Sequence, residues 1–155
     1  MTLTIGTKLP DFSATVTDSP CFNSSDYIGQ RLVLYFYPKD STPGCTIEGQ
    51  DFNRLLPDFQ AANCQVFGIS RDSLKRHSNF KAKQNFAFEL ISDADEMVCQ
   101  LFDVIRLKKL YGKEYLGIDR STFVIDERGY LAQIWRAVKV TGHAEEVLQF
   151  VRMMS

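Results

Sequence analysis

The stretch Arg31 to Tyr37, RLVLYFY, is a nearly continuous apolar run of strand length that ends at Pro38 and the turn-forming segment KDSTPG. A run this short and this apolar is buried on both faces, which places it inside a sheet covered by other elements. The following segment, TIEGQDFNRLLPDFQAA, spaces Ile47, Phe52, Leu55, Leu56 and Phe59 as one face of a helix, with Glu48 in the first turn. Pro57 falls inside that pattern and is expected to kink or break the helix. A buried strand thus hands the chain, through a tight turn, to a helix N-terminus.

The same pattern recurs. CQVFGIS, Cys64 to Ser70, predicts a second buried strand, and RDSLKRHSNFKAKQN predicts an amphipathic helix starting near Asp72 or Ser73. Two buried strands joined by a helix make a parallel βαβ unit. Phe88 to Ser92 predicts a short strand, and DADEMVCQLFDV a short helix whose Val98, Cys99, Leu101 and Phe102 face the sheet. RLKKLYGKEYLGID is expected to be a loop or excursion. STFVID and YLAQIWRAV alternate on either side of Glu127-Arg128-Gly129, a hairpin signal. Gly142 and His143 precede a C-terminal amphipathic helix, AEEVLQFVRMM, with acidic residues in its first turn and Arg152 in its last. No repeat or linker interrupts the pattern, so the expectation is one α/β domain over residues 1–155, a central mixed sheet with helices on both faces. At 155 residues such a domain buries roughly 70% of its unfolded surface and needs no disulfide or metal staple.

Charge and cysteine content narrow the function. Eighteen Lys plus Arg against nineteen Asp plus Glu give a net charge of -1, which supplies no field for holding a nucleic acid. Arg106, Lys108 and Lys109 cluster, but Asp103 and Glu114 flank them, and a solvated face accounts for the group. The N-terminus lacks a basic region followed by an apolar one, and no apolar run approaches the roughly 20 residues that span a bilayer, so a cytoplasmic chain with no membrane partner is expected. Cys21, Cys45, Cys64 and Cys99 form neither a dense disulfide framework nor a CxxC pair. His77 and His143 stand far apart without cysteine partners at zinc spacing, and no metal or cofactor is expected. In a reducing compartment each cysteine is therefore a small buried hydrophobe or a reactive thiol.

The segment Pro38-Lys39-Asp40-Ser41-Thr42-Pro43-Gly44-Cys45-Thr46-Ile47-Glu48 separates these cases. Cys45 falls at the start of a helix, where free backbone N–H groups and the positive end of the dipole favour a thiolate. Thr42 offers a hydroxyl close to the sulfur, and Pro38 and Pro43 stiffen the turn. The bland reading of Phe36, Tyr37, Phe52, Phe123 and Trp135 is core or site wall.

Pro-x-x-x-Thr-x-x-Cys followed by Thr-x-Glu, in the fuller text YFYPKDSTPGCTIE, closely resembles the peroxiredoxins of the bacterioferritin comigratory protein (Q-type) subfamily. LPDFSATVTD, VFGIS, ELISDADE, YGKEYLGIDRSTFVID and VTGHAEEVL also resemble family segments, so the likeness covers nearly the whole chain. The resemblance implies a thioredoxin-like fold of the peroxiredoxin type and a thiol peroxidase acting on hydrogen peroxide and organic hydroperoxides. It implies that Cys45 is the peroxidatic thiolate and Thr42 the hydroxyl that bonds thiolate and peroxide. By the same resemblance Pro38 shields the site, Arg120 of DRSTF stabilises thiolate and transition state, and Glu48 orients Arg120. Without the resemblance, Arg120 reads as half of a surface ion pair. Family members are often monomers and sometimes dimers, which implies a monomer or weak homodimer here.

One departure from the family bears on recycling. Many members place a resolving cysteine five positions after the peroxidatic one, where this chain has Gln50, and others about 36 positions on, where it has Lys81. A one-cysteine cycle is the leading expectation, with a Cys45 sulfenic acid reduced by glutathione, glutaredoxin or thioredoxin. Cys99 has two readings, buried packing or an unfamiliar resolving role; Cys64, at a strand start, and Cys21, after Pro20 in a turn, have the same two. A second class of function is a peroxide sensor that relays Cys45 oxidation to a partner with little turnover.

Overall fold

The computed structural model describes residues 3–154. Its main sheet has seven strands: β1 (Ser13–Val16), β2 (Ser19–Asn23), β3 (Arg31–Phe36), β4 (Cys64–Ser70), β5 (Glu89–Ser92), β8 (Ser121–Ile125) and β9 (Leu131–Trp135), in the order β2-β1-β5-β4-β3-β8-β9. The apolar run that opens the sequence argument is β3, paired parallel to β4 and antiparallel to β8, so its backbone is bonded on both edges. Helix α1 (Pro43–Ala61) makes the crossover from β3 to β4 that a parallel pair requires. Helices α2 (Leu74–Gln84), α3 (Met97–Leu101) and α4 (His143–Met153) complete the cover.

Alternation along β3 divides the core. Val33, Tyr35 and Tyr37 face a cluster that includes Phe52, Leu55, Leu56 and Phe59 of α1, Phe80 of α2, and Val147, Leu148 and Val151 of α4. Leu32, Leu34 and Phe36 face a second cluster with Val98 and Cys99 of α3, Phe102, Val104 and Phe123. The expected mixed sheet with helices on both faces is present, with three of the four helices on the face that carries Cys45.

Four local expectations need correction. Residues expected to form a loop are instead a separate antiparallel hairpin, β6 (Ile105–Leu110) and β7 (Lys113–Ile118). Tyr111 and Gly112, at φ 51° and 77°, give the two left-handed residues that a tight hairpin turn needs. The pairs Leu107↔Leu116 and Lys109↔Glu114 then stabilise the ribbon. Helix α1 also runs through Pro57 for four more residues. The exposed ring costs one backbone bond, and the burial of Phe52, Leu55, Leu56 and Phe59 against the sheet outweighs it. Cys21 lies in edge strand β2 rather than in a turn, where Pro20 is tolerated because an edge has N–H positions that need no partner. The β1–β2 hairpin itself was not expected, since its short, polar strands lack a strong alternation. Among the described residues no helix is long and apolar enough to cross a membrane.

Candidate active site

Strand β3 delivers Tyr37 and Pro38 to the loop that precedes α1. Ser41 takes a left-handed conformation, φ 65°, and Thr42 becomes the N-cap of α1 with Pro43 in the first turn. Cys45 follows, with 2% of its surface exposed. In any helix the first N–H groups lack an intrahelical acceptor, so those of Gly44 and Cys45 are oriented out of the N-terminus. Cys45 and Glu48 are three apart on the helix and project to the same side.

Arg120 arrives from the short link between β7 and β8, at the point where Ser121 pairs with Phe36. Its Nη2 donates to Cys45 Sγ at 3.4 Å and its Nη1 to Glu48 Oε1 at 2.7 Å. One guanidinium therefore holds the sulfur and the carboxylate together, although Arg120 stands 75 positions from Cys45 and 72 from Glu48. Burial opposes the charge on Arg120, but Glu48 and Cys45 outweigh it and hold the guanidinium above its usual range. Burial acts more strongly on Glu48, pushing its carboxyl up to about 7 against the pull of Arg120. The second carboxyl oxygen, Oε2, is buried without a hydrogen-bond partner, as is the Tyr35 hydroxyl. Burial raises Tyr35 well above the ordinary phenol range, and the adjacent Glu48 and Cys45 add to that shift.

Two glycines make the packing feasible. A Cβ on Gly44 would stand 3.3 Å from Arg120 Nη2, so the absence of a side chain gives the guanidinium its approach. A Cβ on Gly49 would meet the Phe86 ring at 2.4 Å, so this glycine lets α1 lie against that ring.

The remaining expected site residues are placed as follows. Thr42 Oγ1 does not donate to the sulfur; it donates to Lys39 O at 2.8 Å. With its hydrogen used there, the hydroxyl presents lone pairs to a neighbouring O–H. Pro38, partly buried, opens the loop. Lys108 of β6 is drawn into the electrostatics of the site: burial lowers its ammonium, and Asp119, Arg120 and Cys45 all act on it.

The other cysteines lie elsewhere. Cys64 opens β4, paired with Arg31, whereas the site lies beyond Phe36 at the far end of the strand, roughly 17 Å away at about 3.3 Å per residue. Burial pushes its thiol up to about 12. Cys99 belongs to the cluster on the opposite face of the sheet, and burial and Asp93 raise its thiol. Cys21 is exposed on β2, four strands from β3, which is roughly 19 Å at about 4.8 Å per strand. At the two positions where the family resemblance implies a resolving cysteine, Gln50 Nε2 donates to Gln84 Oε1 at 2.8 Å, and Lys81 is paired with Asp18 and with Glu89 at 2.9 Å.

Sequence reasoning missed Asp40 and His77. Each is buried, at 3% and 0% exposed, and they meet at 2.7 Å beneath the loop. With Asp72 they bring three ligand-type atoms into one cluster. Hydrogen bonds already engage all three: both His77 nitrogens bond to oxygens, Asp40 accepts from Tyr37, and Asp72 accepts from Asp40 N–H, Ser70 and Arg76. No sequence signal flags a contact between residues so far apart. His143, the first residue of α4, bonds to Thr122 Oγ1 at 2.8 Å, and burial lowers its imidazole.

The chain is similar to several known proteins. The AhpC/TSA family pattern matches residues 5–134. Peroxiredoxin Bcp of Bacillus subtilis is 46% identical over 155 residues, covering 100% of this chain and 99% of that protein. Peroxiredoxin Bcp of Xanthomonas campestris pv. campestris is 60% identical over 122 residues, or 79% of this chain and 76% of that one. A crystal structure of a Xylella fastidiosa PrxQ cysteine-to-serine variant superposes with a TM-score of 0.92 at 48% identity, over 97% of this chain and 96% of that one. The bacterioferritin comigratory protein of Xanthomonas campestris, described for its alkyl peroxide reduction activity, gives 0.87 at 51% identity over 91% and 90%. These neighbours share the thioredoxin-like peroxiredoxin architecture expected from the motif. By these matches the chain belongs to the AhpC/TSA family, in its peroxiredoxin Bcp branch.

Proposed function

We propose that this chain is a thiol-dependent peroxidase that reduces hydrogen peroxide and organic hydroperoxides at Cys45. The observation that carries the reading is Arg120, whose guanidinium donates to Cys45 Sγ and Glu48 Oε1 at once. The Cys45 thiolate attacks the terminal oxygen of the hydroperoxide; the S–O bond forms as the O–O bond breaks, and the leaving oxygen departs as water or alcohol after gaining a proton. Negative charge moves from sulfur to that oxygen, and a fixed guanidinium alongside both stabilises it throughout. An arginine cannot serve as the base here, because it does not lose its proton. Thr42, with its hydrogen committed to Lys39 O, accepts the hydroperoxide O–H and orients it. Glu48 positions Arg120, and Pro38 limits the access of bulk water.

The product, a Cys45 sulfenic acid, is returned to thiol by an outside reductant. A thiolate of thioredoxin, glutaredoxin or glutathione attacks the sulfenic sulfur, water leaves, and a second thiol resolves the mixed disulfide. Gln50 and Lys81 at the family's resolving positions support this one-cysteine cycle, as do the opposite-face placement of Cys99 and the distances to Cys64 and Cys21. The test is intact-mass spectrometry after one equivalent of hydrogen peroxide, with dimedone trapping and peptide mapping. A dimedone adduct on Cys45 without loss of two hydrogens is the expected result, and loss of two hydrogens mapped to Cys45 and Cys99 would replace this cycle with a two-cysteine one. Turnover with added thiol then separates an enzyme, which consumes many equivalents of peroxide per Cys45, from a sensor, which consumes about one.

A further inference from the structure

The loop between β3 and α1 carries Pro38, Thr42 and Cys45, yet nothing in its own sequence explains why it holds one conformation. Ser41 adopts a left-handed backbone that a non-glycine residue visits at a cost of about 1 kcal/mol or more, so neighbouring contacts must hold it. Those contacts converge on Asp40. Its Oδ1 accepts from the Tyr37 hydroxyl at 2.6 Å, its Oδ2 meets His77 Nδ1 at 2.7 Å, and its backbone N–H donates to Asp72 Oδ2 at 2.9 Å. His77 is in turn fixed from behind, its Nε2–H donating to the Ile91 carbonyl at 2.8 Å. That carbonyl can only accept, so Nε2 carries a hydrogen, and one further proton lies between Nδ1 and Oδ2. Asp72 also accepts from Ser70 at 2.6 Å and from Arg76 at 3.0 Å, which ties the network to the end of β4 and the first turn of α2.

We propose that the buried Tyr37–Asp40–His77 network is a latch that positions the peroxidatic loop, and that His77 and Asp40 act through it on Thr42 without touching the peroxide. The inference rests on the peroxidase reading above. The link is the Lys39 carbonyl. It immediately precedes Asp40 and receives the Thr42 hydroxyl hydrogen at 2.8 Å. Holding Asp40 by its side chain and its N–H fixes the Lys39–Asp40 peptide, so the carbonyl stays aimed at Thr42 and the hydroxyl's lone pairs stay aimed at the incoming O–H. With the latch released, the Thr42 hydroxyl is free to turn and the peroxide loses its acceptor, while Arg120 still donates to the sulfur. Buried polar contacts of this kind cannot relax into solvent, and a misplacement of a fraction of an ångström at a reacting group is costly.

The test compares two reactions of one thiol. Hydrogen peroxide needs both Arg120 and an oriented Thr42, whereas alkylation by iodoacetamide reads the Cys45 thiolate and its accessibility alone. His77→Leu and Asp40→Ala are each expected to slow oxidation of Cys45 about tenfold or more, as mispositioning does, with iodoacetamide alkylation and its pH profile within twofold of the parent. The double variant is expected to be no slower than the slower single one, because both substitutions open the same latch. Tyr37→Phe, which keeps the ring and removes one hydrogen bond, is expected to slow oxidation a few-fold and guards against a failure of the other variants to fold. His77→Gln, whose amide can still donate to Asp40, recovers part of the rate. Folded variants that react with peroxide at the parental rate and differ only in melting temperature would overturn the latch. So would peroxide and iodoacetamide rates that fall together, or losses that add in the double variant. Cys45→Ser measured alongside keeps the two readings apart: retained peroxide turnover there refutes the peroxidase itself, and its loss with unaffected His77 variants refutes the latch alone.

Discussion

Cys45 and Cys64 lie in the same hydrophobic cluster, are 2% and 0% exposed, and each has an arginine nearby, yet their surroundings direct them to different ends. At the end of β3 that leads into α1, Arg120 donates directly to the Cys45 sulfur. At the other end, Arg31 is committed to Glu127 at 3.0 Å and to the carbonyls of Val151 and Met154, and the Cys64 thiol donates to Gln65 O at 3.6 Å. Burial pushes the Cys64 thiol up to about 12 although Arg31 pulls it down. The lesson is that burial and a nearby positive charge do not make a reactive thiol. Under the proposed function the difference is a donor aimed at the sulfur, together with a helix N-terminus whose N–H groups have no other acceptor.

The largest expected effect breaks the comparison if it fails. Cys45→Ser is expected to abolish peroxide reduction, whereas Cys64→Ala leaves turnover within about twofold and lowers stability by about 1 kcal/mol through lost packing. Peroxide consumption and urea unfolding on the two variants check both halves. Comparable losses of turnover would mean that the two ends of β3 cooperate chemically. Arg120→Ala comes next: oxidation of Cys45 is expected to slow by about 10²- to 10³-fold, the usual loss for a donor aimed at developing charge. Unlike the latch variants it is also expected to slow iodoacetamide, since it acts on the thiolate itself. A smaller effect, a slowing of several-fold, is expected from Gly44→Ala, which sets a methyl 3.3 Å from Arg120 Nη2 and pushes the guanidinium off the sulfur. A crystal structure of that variant with Arg120 undisplaced and a slowed rate would locate the glycine's role in the backbone instead.

These residues differ in how much the sequence discloses. Strand β3, the turn and α1 are local, and their periodicities name them; the three-residue spacing of Cys45 and Glu48 likewise puts both on one helix face. Arg120 is 75 positions from Cys45, and no periodicity links them; the family motif supplied it and the antiparallel pairing of β3 with β8 delivers it. Asp40 and His77 belong to neither class. Their contact joins two elements through the fold, 37 positions apart, so only the three-dimensional packing brings it to light. The β6–β7 ribbon went unread for a different reason. Most of its side chains are exposed, so Leu107, Leu110 and Leu116 sit among lysines without the inside–outside alternation that marks a half-buried strand.

The smallest expected effect concerns what it costs to hold Arg120 where it is. Glu48 has 1% of its side chain exposed, one oxygen on Arg120 and the other without a partner, and burial moves its carboxyl from 4.5 to about 7. Between those two values the folded protein keeps a proton that the unfolded chain has released. Stability from this group is therefore highest below about pH 4.5, falls as pH rises toward 7, and is level above that. Glu48→Gln never ionises and removes this slope. Urea unfolding of both proteins from acid to neutral pH is expected to show the variant gaining on the parent through the window, by a few kcal/mol at neutral pH, while its peroxide reaction slows because a neutral amide holds Arg120 less firmly. A difference that is flat with pH would mean that Arg120 fully compensates the buried carboxylate. The site would then be stable as built, and the contrast with Cys64 would rest on geometry alone. A falling difference means that the arrangement proposed to activate Cys45 is held against an electrostatic cost, which the packing of α1 on the sheet has to offset.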